Sequence, residues 1–356
     1  MAVGIGLIGT GFARSTQAPV FANIDGARIV GVASGKLENA KRVASELSIP
    51  HVGDFKEIAS LPDVDLVVIS APPNLHHSAT MAAISSGKHV ICEKPMAMNA
   101  HEAEELTRAA EGRPQQLTII DHELRFNPTR RRMKQMIDDG FLGELYHVSY
   151  TMASGFRHSA LRPWNWWAQK SAGGGLLGAL GSHAIDSLRW LFGDIASVTS
   201  IVSTVIPIRI DPETNQPRQV ETDDYCSFLF RFSNSQAFGN VTLSAVYGSG
   251  GTNQLTLVGE KGTIILEGDE KLLAAKGFNS NFEDLSVPDP VANNTAIPSN
   301  IWARSFYHLA TATIDALQQG KSVVENAATF HDGLQCQRVI DAIIRANESR
   351  KWESVV

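Results

Sequence analysis

The chain's 356 residues, 43% of them hydrophobic and 19% charged, suffice for two domains with a large core and exclude a disordered polymer. A formal net charge of −6 with no basic block speaks against a nucleic-acid partner, and no uncharged run reaches the roughly 20 residues that span a bilayer, so no membrane partner is expected either. The three cysteines, Cys92, Cys226 and Cys336, lack metal-ligand spacing and leave one over from any pairing; they read as reduced thiols in the cytoplasm, with no metal centre.

The chain opens on an apolar run, residues 3–8, that reads as a buried strand; glycines interrupt it and no basic segment precedes it, so it is not a signal peptide. It leads into Gly9-Thr10-Gly11-Phe12-Ala13-Arg14 and a helical pattern. Glycine at 9 permits a tight turn, and glycine at 11 lets the backbone approach a pyrophosphate at a helix N-terminus, as in a dinucleotide-binding loop. The third small position of that fingerprint falls on Arg14, with Ala13 one place early, so the helix is expected to pack on its strand in an unusual way. The next strand, 27–33, ends in Ser34-Gly35-Lys36, where an NAD site normally carries an acid for the ribose 2′-hydroxyl. Ser34 and Lys36 are donors suited to a 2′-phosphate, which favours NADP over NAD. The nearest acid, Glu38, falls in the following helix.

Apolar runs at 66–70, 89–92 and 117–120 alternate with helical patterns at 38–47, 75–85 and 100–111, the rhythm of a parallel sheet with crossovers. The run 89–92 ends in Glu93-Lys94-Pro95. At the carboxyl end of such a strand, Glu93 and Lys94 open on the crevice in which a dinucleotide lies. Pro95 donates no backbone hydrogen bond and turns the chain out of the sheet, with a cis bond as one route. A lysine there is a candidate for chemistry, whereas Cys92 reads as a buried strand residue.

Beyond about residue 122 the rhythm changes. Runs at 146–152, 198–205, 225–232, 236–245, 254–258 and 263–266 lack intervening helices after the second and predict an open, largely antiparallel sheet. Helical patterns at 301–318 and 327–346 close the chain. The expected fold is α/β: an N-terminal Rossmann domain, residues 1–122, followed by an α+β domain with a large open, mainly antiparallel sheet, residues 123–356. Arg130-Arg-Arg132 is read as the solvated side of a helix starting at Pro128, and residues 278–300, with three prolines, as an exposed loop.

Three segments, Asp65-Leu-Val-Val-Ile-Ser-Ala-Pro-Pro-Asn-Leu-His-His77, Gly87-Lys-His-Val-Ile-Cys-Glu-Lys-Pro95 and Gly173-Gly-Gly-Leu-Leu-Gly-Ala-Leu-Gly-Ser-His183-Ala-Ile-Asp186, occur in the order and at the approximate spacing found in the Gfo/Idh/MocA family. The chain resembles that family, which includes glucose-fructose oxidoreductase and inositol dehydrogenase, over its full length. The resemblance implies a two-domain NAD(P)-dependent oxidoreductase of sugars, polyols or related compounds. It also implies a homodimer or homotetramer in which the open sheet face packs on another subunit. It sets the turn Ala71-Pro72-Pro73-Asn74 along the nicotinamide half of the dinucleotide, with His77 on the next helix, and likens the segment around Arg125 to one that faces the cleft.

Oxidising an alcohol carbon requires taking its hydroxyl proton, and histidine, with an unperturbed pKa of about 6.5, suits that task. His183 is therefore assigned as general base in oxidation and general acid in reduction. Lys94 would hydrogen-bond the reacting oxygen and help hold the nicotinamide ribose. Asp186 could orient His183 or serve as a cap. The family's dehydrogenases commonly carry an aspartate four residues before this histidine, where this chain has Ala179; either another residue supplies the function, or the substrate differs, or activity is weak. Substrate contacts are expected from Arg157-His158 and Arg162-Pro-Trp-Asn-Trp-Trp-Ala-Gln-Lys170. Trp164, Trp166 and Trp167 suit sugar rings and the nicotinamide or, equally, pack the loop or a subunit interface, and Arg162, Asn165 and Lys170 supply donors to hydroxyls or carboxylates. The leading expectation is an NADP-preferring oxidoreductase of a sugar, polyol, cyclitol or matching ketone. The alternatives are a glycosidase that uses NAD for transient oxidation and a non-catalytic protein that binds the dinucleotide as a signal.

Overall fold

Every residue of Val3–Ile8 (β1) is buried, as an uninterrupted apolar run must be when both faces of its sheet are covered. In the computed structural model, which describes residues 2–356, β1 is an interior strand of a seven-stranded sheet. Its other parallel strands are Ala27–Ala33 (β2), His51–Gly53 (β3), Leu66–Ile69 (β4), His89–Cys92 (β5) and Thr118–Ile120 (β6), in the order 3-2-1-4-5-6. The order reverses between β1 and β4, and this switch point is where a doubly wound sheet takes its ligand.

Alternate residues of each strand point to opposite faces. Leu66 and Val68 join the apolar cluster on one side, Val67 and Ile69 the cluster on the other. Helices α1 (Ala18–Phe21) and α2 (Leu37–Leu47) cover the first face. The second is covered by α3 (Phe55–Ser60), α4 (His76–Ser85) and α5 (Ala100–Glu111).

The chain crosses between its two compact units three times: the first holds the residues up to Asn127 together with Pro290–Leu334, the second Pro128–Asp289 with Gln335–Val356. This corrects the expected division at residue 122 into two consecutive blocks. The 301–318 helix, here α8 (Ile301–Gln318), packs Ala303, Phe306, Leu309, Ala310 and Ile314 into the first unit's core, where Phe306 meets Phe21 edge-on at 5.5 Å. Ala328–Thr329 (β17) then adds an antiparallel edge to β6. The last long helix, α9 (Phe330–Ser349), begins in the first unit and ends in the second.

The second unit carries nine strands in the order 16-15-14-13-7-12-11-8-18. They are Leu145–Ala153 (β7), Ile195–Ser203 (β8), Tyr225–Phe232 (β11), Phe238–Ser244 (β12), Thr252–Gly259 (β13), Gly262–Glu267 (β14), Lys271–Lys276 (β15), Glu283–Asp284 (β16) and Glu353–Ser354 (β18). All pairings are antiparallel except that of β12 with β7. In β11, Cys226, Phe228, Phe230 and Phe232 face the core, while Ser227, Leu229 and Arg231 face outward, the two-residue period of a sheet with one wet face. A separate hairpin, Ile208–Ile210 (β9) with Pro217–Gln219 (β10), has too few residues to show in a periodicity scan. Helices α6 (Pro128–Asp138) and α7 (Ser182–Phe192) complete this unit. Among the described residues no helix is long and apolar enough to cross a membrane.

Candidate active site

At the end of β1 the chain turns at Gly9 with φ 126°, and the Gly9 amide donates to the Ala33 carbonyl at the end of β2 (2.9 Å). A Cβ at Gly9 would stand 2.4 Å from the Ser70 carbonyl oxygen, so only glycine fits. A Cβ at Gly11 would meet nothing within 4 Å, so this glycine borders open space. After half-buried Phe12 comes a π-helical turn, Ala13–Gln17, continuous with α1. This turn is the unusual packing expected there: it buries Ala13 completely in the sheet's core.

Arg14 points elsewhere than expected. It holds Glu46 of α2 by two hydrogen bonds of 2.7 and 2.8 Å, so its side chain ties the two helices together and does not line the glycine loop. Thr10 Oγ1 lies 3.4 Å from Ser34 Oγ, which also receives the Lys36 amide at 3.4 Å. Exposed Lys36 is the N-cap of α2, and Glu38 pairs with Lys41 at 3.3 Å. The open glycine turn, with hydroxyls and no carboxylate at the end of β2, fits a dinucleotide.

Strand β5 ends at Cys92, followed by Glu93 and a cis Lys94–Pro95 bond. Four segments meet here in a buried polar network. Gln17 donates through Nε2 to Glu93 Oε1 and to Asp121 Oδ2, both at 3.1 Å, and accepts a hydrogen bond from the Ser70 hydroxyl. Burial pushes the Glu93 carboxyl up and the Asp121 carboxyl well above the usual range, the latter with the added repulsion of Glu93 and Glu123. Burial thus favours the protonated form of Asp121, while the Lys94 charge draws Glu93 toward ionisation.

Gln17, Ser70 and Asp121 were not foreseen as site residues, nor was His76. Buried His76 sets its two ring nitrogens 2.9 Å from the carbonyls of Ala71 and Pro95, so it joins the turns that leave β4 and β5. Burial depresses its pKa, and the neutral ring donates to one of the two. Expected His77 faces Glu105 of α5 instead, at 2.8 Å, because neighbouring helical residues diverge by about 100°. Asn74 is exposed on a 3₁₀ turn after Pro72. Arg125 is buried, 3.3 Å from Asp332, in the first unit rather than among the second domain's residues.

In the second unit, His183 and Asp186 are both buried on the first turns of α7. A π-helical turn, Leu177–Gly181, which contains Ala179, leads into α7. The glycines ahead of it permit close approach: a Cβ at Gly174 would stand 2.3 Å from the Trp167 carbonyl oxygen, and one at Gly175 (φ 117°) 2.3 Å from Asp223 Oδ1. Asp223 accepts the Leu177 amide at 2.8 Å, and burial pushes its carboxyl up to about 6.

Helix α7 is anchored by Arg130, which donates to Ser187 Oγ (2.9 Å), Tyr150 Oη (2.7 Å) and Asp269 Oδ1 (2.6 Å). Arg130 is thus fully buried, contrary to its reading as part of a solvated helix face, because its partner Asp269 arrives from β-strand connections 139 residues away.

The segment 154–172 is held by the β9–β10 hairpin. Arg209, 1% exposed, donates to the carbonyls of Ser159 (2.9 Å), Arg162 (3.3 Å) and Arg157 (2.7 Å). Trp164 is a packing residue here: its indole donates to the Gln219 carbonyl (3.1 Å), and the Arg218 guanidinium lies 3.4 Å from its ring centre. Asn165 caps the turn Trp166–Ala168 by accepting the Trp167 amide (3.0 Å). Arg162 donates to the Phe156 carbonyl at 2.6 Å. Of the predicted aromatic contacts only Trp166 stays exposed, 5.6 Å from the half-buried Trp167 ring.

The family pattern described as "Oxidoreductase family, NAD-binding Rossmann fold" matches residues 3–120, and "GFO/IDH/MocA C-terminal domain" matches residues 130–265. An oxidoreductase of Synechocystis sp., itself named as uncharacterized, is 32% identical over 99% of this chain and 95% of that protein. Human glucose-fructose oxidoreductase domain-containing protein 2 is 28% identical over 100% and 94%. Levoglucosan dehydrogenase, solved in complex with NADH and L-sorbose, superposes with a TM-score of 0.88 at 25% identity over the whole of both chains. An NAD-binding oxidoreductase from Klebsiella pneumoniae gives 0.85 at 27%, again over the whole of both chains. The chain belongs to the Gfo/Idh/MocA family of oxidoreductases, with an NAD-binding Rossmann domain at its N-terminal end.

Proposed function

We propose that this protein is an NADP-preferring oxidoreductase that interconverts a secondary alcohol of a sugar, polyol or cyclitol with its ketone. What supports the reading most is the end of β5, where Lys94 follows a buried glutamate tied through Gln17 to Ser70 and Asp121. The levoglucosan dehydrogenase neighbours, solved with NADH and with L-sorbose or levoglucosan, support the substrate class. The cofactor is held by Gly9, Thr10, Gly11, Phe12 and Ala13 at the pyrophosphate, by Ser34 and Lys36 at the 2′-phosphate, and by Ala71, Pro72 and Asn74 toward the nicotinamide. When bound, it takes or gives the hydride.

Lys94 receives the substrate oxygen and stabilises the negative charge that develops on it, and Glu93 keeps the ammonium in place. His183 removes the hydroxyl proton in oxidation and returns it in reduction, with Asp186 as its positioning partner. Lys94→Ala and His183→Ala should each lower kcat/KM by about 10²–10⁴-fold, the usual share of a general acid-base or oxyanion partner. Full turnover in both variants would refute the assignment. Stoichiometric consumption of NADPH separates this reading from a glycosidase that recycles its cofactor and from a sensor that only binds it.

The cofactor preference follows from the end of β2. Titration of cofactor-stripped protein, followed by tryptophan fluorescence, should show NADPH binding more tightly than NADH, and Lys36→Glu should reverse the order; equal affinities in both proteins would count against it. A second copy covers the outer face of the nine-stranded sheet, where Ile201, Leu229 and Phe238 are each at least half exposed. Sedimentation of a dimer or tetramer checks this. Three buried free thiols suit a reducing cytoplasm.

A further inference from the structure

Arg157 retains only 3% of its surface, yet its guanidinium makes no hydrogen bond and no ion pair among the described residues. Its one side-chain contact of that kind is with the Trp167 ring, 5.2 Å from the ring centre. The backbone around it is fixed on both sides: its amide donates to the Ala245 carbonyl (2.8 Å), and its carbonyl accepts from Arg209 (2.7 Å). Arg209 and Arg162 share the same segment but spend their donors on backbone carbonyls.

The nearest carboxylates are committed elsewhere. Asp224 accepts the amides of Val205 (2.6 Å) and Ile206 (2.9 Å) with its two oxygens, and Asp223 accepts that of Leu177. Both act on Arg157 through space without pairing with it. Burial, together with the charges of Arg209 and Arg162, pulls the Arg157 pKa down to about 10, the sense expected of a buried cation that lacks an anion.

We propose that Arg157 receives a carboxylate of the substrate, so that the sugar or polyol handled here is an acid of the uronate or aldonate kind. This rests on the oxidoreductase reading above and narrows its substrate class. A guanidinium with its whole donor edge unused matches a planar carboxylate in a two-pronged pair. Three arginines against two aspartates leave a surplus of one positive charge, which suits a monoanion better than a phosphate dianion. The site also adjoins the catalytic helix. Trp167, under Arg157, accepts the Thr222 hydroxyl through its carbonyl (2.7 Å) and packs against Gly174, while Asp223 caps the turn that leads to His183.

The test is calorimetric titration of the NADPH-bound protein with matched pairs: D-glucuronate against D-glucose, D-galacturonate against D-galactose, and D-gluconate against D-glucitol. D-Glucose 6-phosphate is added as the dianion. At least one acid should bind ten or more times more tightly than its neutral partner. Arg157→Met should cut that preference about 30-fold, the size of a charge-assisted pair, and Arg157→Lys should restore part of it. No acid binding better than its parent, a preference untouched by Arg157→Met, or glucose 6-phosphate surpassing every carboxylate would each overturn the proposal. Should Arg157→Met fail to fold, the wild-type comparison and Arg157→Lys decide. Hydride transfer from the same compounds to NADP is read separately. An acid bound through Arg157 but never oxidised would refute the oxidoreductase reading while leaving the anion site in place.

Discussion

Two buried polar clusters, one in each unit, carry charge of opposite sign and satisfy it by different means. In the first, Glu93 and Asp121 are tied to one another by Gln17, and burial favours their protonated forms. In the second, Arg130 donates to a carboxylate and two hydroxyls and Arg209 to three carbonyls, whereas the Arg157 guanidinium has no such partner among the described residues. A buried charge whose every donor is met is part of the scaffold, whereas one placed equally deep with its donors unused is an opening for a ligand.

The sharpest way to break this contrast is to neutralise the arginines in turn. Arg130→Met should lower stability by about 4 kcal/mol in urea unfolding, since it strands the buried Asp269 carboxylate. Arg157→Met, which strands nothing, should stay within about 1 kcal/mol of the wild type. Equal losses would mean that Arg157 is also scaffold.

Asp223 gives a pH-dependent comparison. Its folded pKa of about 6 lies above the unfolded value of about 3.9, so its contribution to stability is complete below pH 4 and is lost as pH rises through 6. Between pH 4 and pH 7 the wild type should therefore lose about 3 kcal/mol relative to Asp223→Asn, which keeps an acceptor for the Leu177 amide. A flat difference across that range would show the carboxylate to be solvated.

Gln17→Ala should cost about 2 kcal/mol by removing the donor common to two buried carboxyls, with a loss that grows as pH rises from 4 toward the raised Asp121 value. The smallest effect is expected at Arg14→Ala. Because its guanidinium serves Glu46, cofactor affinity should change less than twofold by fluorescence titration.

The same contrast explains what could be read in advance. Helices 100–111 and 301–318 were legible to the residue, because each starts after an asparagine, Asn99 or Asn300, that caps it, and each repeats apolar residues at helical spacing. Five of the six parallel strands and the glycine turn were legible for the same reason, local signals, whereas β3 (His51–Gly53), only three residues long, was missed. What stayed hidden depends on partners far along the chain. Nothing near Arg130 announces Asp269, and nothing near Trp164 announces Arg218 or the Gln219 carbonyl. His76 and His77 were not separable by sequence, since which of two adjacent helical residues faces the turn is set by the helix's rotation on the sheet. Fold assignment needed only periodicity, but the burial of long charged side chains needed the tertiary structure.

The interleaving of the chain bears on how the protein is made. Helix α8 supplies Phe306, Leu309 and Ile314 to the first unit's core, and β17 closes the open edge at β6, yet they begin about 180 and 210 residues after β6 ends. At a ribosome adding about 5–20 residues per second, the nascent glycine-loop sheet waits on the order of ten seconds with an apolar face bare and one strand edge unpaired. A chaperone that holds this face should therefore raise the yield of native protein, and a fragment cut near residue 122 should aggregate where the full chain does not.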